Sequence, residues 1–160
     1  MYFLAPIIQP APVAARDRIE AAPTLNVELL RRLAALVERH PERLDMRDWV
    51  RVRRAPLLHR ALWRLGLVKA EPMGRITGCL AGLALSEDNP QRDFDDYGPE
   101  NARALLGLDE RTAKRLFHVE HWPWTYHVAY MRACCDGNDR ARGQIAAALL
   151  RHLAKTGGLD

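Results

Sequence analysis

The stretch Asn101–Phe117, NARALLGLDERTAKRLF, decides how this chain folds. Gly107 divides it: an apolar-periodic run ends at Leu106, and Asp109 stands where the cap of a following helix belongs. With Gly107 as the turn, Leu106, Leu108, Ala113 and Leu116 fall on the inner face of two short helices joined by a tight corner. That arrangement has two readings. As a DNA-binding helix-turn-helix, Arg111 and Arg115 would point from the second helix into a major groove. As a structural hairpin, Leu106, Leu108, Leu116 and Phe117 would be core and the outer face inert. Two features favour the hairpin. Arg103 stands four residues before the glycine, where the DNA-binding motif needs a small residue, and Asp109 and Glu110 would aim two carboxylates at phosphates.

Helical spacing continues on both sides of this stretch. Val27, Leu30, Leu33 and Val37 recur three and four apart, with Thr24 or Asn26 as cap and Pro41 as stop. Glu42 to Val50 reads as a turn carrying Leu44, Met46 and Trp49 inward. Pro56 opens a second helix with Leu57, Leu58, Ala61, Leu62 and Leu65 on one face, and Gly66 ends it. A third helix is expected from about Arg75 to Leu85; Gly78 and Gly82, four apart, would give it a bare side for a tight helix crossing. Ser86–Gly98 is the one long loop. After Phe117, Pro123 opens a helix ending near Cys135. Asn138 caps a last one with Ile145, Leu149 and Leu153, closed by Gly157 and Gly158. No alternating apolar and polar run is long enough to argue for a sheet. The expected fold is all-α, an irregular or orthogonal bundle of about six or seven helices. Residues 1–23 would form an extended, proline-rich N-terminal arm, and residues 24–160 a single helical domain.

At 160 residues, with 48% hydrophobic and 28% charged residues, the chain matches an ordinary folded domain and excludes disordered or collagen-like classes. The net charge is +4, and it is unevenly spread. Between Arg31 and Lys69 stand eleven basic and four acidic residues, a net of +7, whereas Ser86–Glu100 carries six acids and one base, a net of −5. The two segments suit each other, within one molecule or between copies. The apolar start is broken by Pro6, Pro10 and Pro12 and lacks a preceding basic residue, so neither a signal peptide nor a membrane span is expected. Three cysteines, Cys79, Cys134 and Cys135, cannot all pair internally, which favours reduced thiols and a cytoplasmic setting.

His40-Pro41-Glu42, Leu44-Asp45-Met46 with Trp49, Gly78-Cys79-Leu80-Ala81-Gly82, Leu105-Leu106-Gly107-Leu108 with Leu116-Phe117, and Trp122-Pro123 stand in a characteristic order. Over about Leu33 to Tyr130 the chain resembles a group of small helical bacterial and phage proteins of uncharacterised function. The resemblance implies a helical fold and a phage or mobile-element setting, and no activity. A Cys-Gly-Thr usual in the group is Arg75-Ile76-Thr77-Gly78-Cys79 here, so no role for a cysteine pair carries over.

Each remaining constellation has a plainer reading. The run Arg47, Arg51, Arg53, Arg54, Arg60 and Arg64, with Trp49 and Trp63 nearby, could follow a phosphate backbone or dock an acidic protein surface, although charge runs are usually solvated faces. His118, Glu120 and His121 lack the spacing that turns two histidines to one side, so no metal is expected there, and His118 and His121 are expected to cap the C-terminal end of the preceding helix. Asp93–Gly98 imitates a calcium loop, but Tyr97 and Ala104 occupy ligand positions. Cys134 and Cys135, near a helix C-terminus where the dipole works against a thiolate, read as core sulfur. Trp122, Trp124 and Tyr126 read as a core plug, or as a partner surface if exposed. No catalytic, cofactor or metal site is expected. The expected function is a non-enzymatic, protein-binding or regulatory module whose partner is an acidic protein surface or a second copy. The alternative is a DNA-binding protein using residues 101–117 and the basic segment 47–64.

Overall fold

The computed structural model describes residues 24–53, 65, 67, 75–89 and 97–159, and these form a mostly helical bundle with one small sheet. Helix α1 (Val27–Arg39) begins where Asn26 accepts a hydrogen bond from the Leu29 N–H at 3.1 Å, and it buries Leu29, Leu30, Leu33, Ala34, Leu36 and Val37. Asn26 also donates to a distant part of the chain, through its backbone N–H to the Leu106 carbonyl at 2.9 Å and through its side-chain amide to the Leu105 carbonyl at 3.2 Å. One residue thus starts a helix and ties that start to the hairpin. A short 3-10 turn, Pro41–Arg43, follows.

The expectation of no sheet is corrected. Strands β1 (Val50–Arg53) and β2 (Arg75–Gly78) pair antiparallel, with Val50 opposite Gly78, Arg51 opposite Thr77, Val52 opposite Ile76 and Arg53 opposite Arg75. The expected third helix therefore starts late: Arg75–Gly78 is strand, Cys79 is the junction, and α2 runs Leu80–Asp88. Every residue from Leu80 to Ser86 is buried, so α2 is apolar all round because neighbours surround it. Each of its buried leucines is worth about 1.5–3 kcal/mol relative to an exposed one. Gly78 and Gly82 do mark a close approach, but to a loop and not to a helix. A Cβ on Gly78 would lie 2.6 Å from the Trp49 carbonyl oxygen, and one on Gly82 would overlap the same oxygen. The chain is pinned there by bonds from Asp45 N–H to the Gly78 carbonyl (2.9 Å) and from Cys79 N–H to the Asp48 carbonyl (2.8 Å).

Helices α3 (Pro99–Leu106) and α4 (Glu110–Phe117) form the hairpin, joined through Gly107 at φ 63° and ψ 41°. After a 3-10 turn at Val119–His121 come α5 (Trp124–Cys135) and α6 (Asp139–Thr156), the latter capped by Asn138 and ended by Gly157. Helix α6 lies along α1 and supplies Ala146, Ala147, Leu149, Leu150 and Leu153 to the core. Glu38 of α1 and Arg151 of α6 form an ion pair across the outside of that contact. No helix among the described residues is long and apolar enough to cross a membrane. The N-terminal arm, most of the helix expected from Pro56 and the calcium-like loop at 93–96 lie outside the described residues. Leu65, expected on that helix's buried face, stands in a turn and is 72% exposed.

Candidate partner-binding surface

The basic residues singled out from sequence fall on separate elements. Arg47 is exposed in the loop before β1, where its N–H donates to Asp45 Oδ1 at 3.1 Å. Arg51 pairs with Asp48 at 2.7 Å, and Arg53 stands opposite Arg75 in the ladder. Arg43, from the same run, donates to the Ile76 carbonyl at 3.1 Å and lies 3.6 Å from Glu87, so part of the acidic stretch does meet the basic one within the molecule. Arg54, Arg60 and Arg64 lie outside the described residues. On α4, Arg111 is exposed, whereas Arg115 is half-buried and donates to the Leu159 carbonyl.

The hairpin carries its apolar residues inward: Leu106, Leu108, Leu116 and Phe117 are all buried. At the start of α4, Asp109 accepts from both the N–H and the hydroxyl of Thr112, each at 2.8 Å, and these bonds hold its carboxyl below the usual range. A fixed negative charge therefore sits at the end of α4 that a reading helix would present to phosphates, beside exposed Glu110.

The histidines take a different part from the one expected. The carbonyl of Leu116, left open by the end of α4, accepts from the indole N–H of Trp122 at 3.0 Å, so a tryptophan caps that helix. His118 instead lies 3.6 Å from Glu120, and the His127 ring meets the Val119 carbonyl at 2.9 Å. No cluster of three or more metal-ligating side chains occurs among the described residues. Cys79 is buried with its Sγ 3.5 Å from the Trp49 carbonyl, and burial pushes its thiol up, away from nucleophilic use. Cys134 is half-buried, but Cys135 is exposed, which corrects its reading as core sulfur. Helix spacing puts 134 and 135 about 100° apart, so both cannot face the same core. A cleft of about 260 Å³ is lined by Cys134 together with Met46, Phe117, Tyr130 and Met131. Burial pushes the Tyr130 phenol up, and the Arg142 guanidinium is tied to Asp139. These groups do not form a nucleophile with its base.

The strongest feature lies away from the basic residues. Among the described residues five large hydrophobic side chains are exposed, and three of them, Trp124 (77%), Val128 (43%) and Met131 (46%), are on α5. With exposed Cys135 they recur at steps of four, three and four, one stripe along the helix. The opposite side of α5 holds it down through Tyr130 and Ala133, with Tyr130 edge-on to Trp122 at 5.0 Å. Beside the stripe runs an open groove of about 510 Å³ between α5 and α6, in which Ala129, Ala133 and Ala141 leave room and Arg132 and Asp136 are the charged members. The core-plug reading of the aromatics thus holds for Trp122, 4% exposed, and fails for Trp124. The signal was present in the spacing of 124, 128, 131 and 135.

No family model matches the chain, and neither does any curated protein or solved structure.

Proposed function

We propose that this protein is a non-enzymatic interaction module that binds a protein partner on the exposed face of α5. The observation that carries the reading is the apolar stripe of Trp124, Val128 and Met131, presented on a helix whose other side is anchored. Isolated exposed hydrophobics are ordinary, whereas a contiguous row led by a tryptophan has the composition of a binding hot spot. The basic residues around Arg47 and Arg51 then serve as charges that speed encounter with an acidic surface. Changing Trp124 to alanine is expected to weaken partner binding by about 2 kcal/mol or more, roughly 30-fold, while stability moves by less than about 0.5 kcal/mol. Affinity by titration calorimetry, beside a melting curve, checks both; binding left intact removes α5 from the function.

A second reading, nucleic-acid binding, has one observation in its favour. The strand register puts positions 53 and 75, both arginine, on the same rung, which gathers basic residues of the kind a phosphate backbone attracts. If these strands contact phosphate, retardation of duplex DNA at about 50 mM salt should weaken more than tenfold by about 200 mM, because bound phosphates release counterions. No retardation even at the lower salt would eliminate this reading.

A further inference from the structure

We infer that the partner seated on α5 is a second copy of this chain, its own α5 laid antiparallel across a two-fold axis; the inference rests on the reading of α5 as the docking face. The stripe is its own complement. A two-fold through the midpoint of the helix brings Trp124 opposite the partner's Cys135 and Val128 opposite the partner's Met131, large against small and apolar against apolar throughout.

Charge complementarity points the same way. Antiparallel pairing brings Asp136, at the C-terminal cap of one α5, to the N-terminal end of the other, where the helix dipole attracts a carboxylate. It also keeps Arg132 away from its own symmetry mate; Arg132 falls opposite the partner's His127. A parallel pairing would do neither. The size of the face sets the strength: a 12-residue helix is about 18 Å long and, with the neighbouring side of α6, covers roughly 500 Å² per copy, below the ~800 Å² of a standard interface. The dimer is therefore weak and concentration-dependent.

Sedimentation equilibrium of the full chain between about 5 and 500 μM tests this. The expected result is a monomer–dimer equilibrium with a Kd in the tens of micromolar, and a Trp124→Ala chain that stays monomeric over the whole range with an unchanged circular dichroism spectrum. Orientation is read by cross-linking in a Cys134→Ser, Cys135→Ser background: mixing Val128→Cys with Met131→Cys chains should yield the mixed 128–131 disulfide. In the unmodified chain, two Cys135 would stand about 16 Å apart along the helices, beyond disulfide reach. A rapid Cys135–Cys135 disulfide dimer would show a parallel pair and overturn the arrangement. A wild-type chain that is monomeric at 500 μM overturns the self-pairing outright. If Trp124→Ala nonetheless abolishes binding of another protein, the docking face stands and only the second copy falls.

Discussion

Replacing Gly82 with leucine is expected to lower stability by about 3–5 kcal/mol, toward the upper end of core penalties. The glycine lies in α2, buried on every side, and the atom that a new side chain meets first is the Trp49 carbonyl oxygen, which belongs to the main chain. A flexible neighbour could swing aside; a backbone segment held by bonds to Gly78 and Cys79 can move only with its loop. For a chain of this length the change corresponds to a fall of roughly 6–20 °C in Tm, read by calorimetry. A variant melting with the wild type would show that the Trp49 loop does not cross α2 as described.

Replacing Gly107 with valine is the second large effect, about 2–5 kcal/mol, from two additive causes. The turn requires φ 63°, which costs an L-residue about 1–2 kcal/mol and a β-branched one more, and the new Cβ would overlap the Thr24 carbonyl. Urea unfolding separates the readings of the α3–α4 corner. A structural hairpin loses stability by that amount, because Asn26, beside Thr24, ties α1 to the same corner. A corner serving only to present a reading helix would keep its midpoint and lose DNA affinity instead.

Local chemistry made most helices legible. Asn26, Asp109 and Asn138 each cap a helix through a side-chain oxygen, and Gly107 and Gly157 end helices in the left-handed region. Signals of that kind lie within four residues of the event they control. The strand β2 was not legible because Arg-Ile-Thr-Gly is four residues long and becomes a strand only through Val50–Arg53, more than twenty residues earlier. Gly78 and Gly82 share helical spacing by coincidence of two different contacts with one carbonyl. The exposed stripe of α5 was hidden for another reason. Helix α5 carries apolar side chains on both sides, so periodicity shows Trp124, Val128 and Met131 aligned but not which side the bundle covers. Only the placement of Tyr130 against Trp122 settles that.

The pairing of α1 with α6 bears on how the protein is made. The leucines of the first described helix are covered by the last one, so during synthesis Leu29, Leu30, Leu33 and Val37 wait for residues as late as Leu153. At about 5–20 residues per second that delay is on the order of ten seconds, far longer than a helix needs to form. The nascent chain therefore carries a sticky, amphipathic helix for most of its emergence from the ribosome. Chaperones that bind such helices gain a substrate, and any chain cut short before α6 should aggregate or be degraded even though every earlier helix is intact.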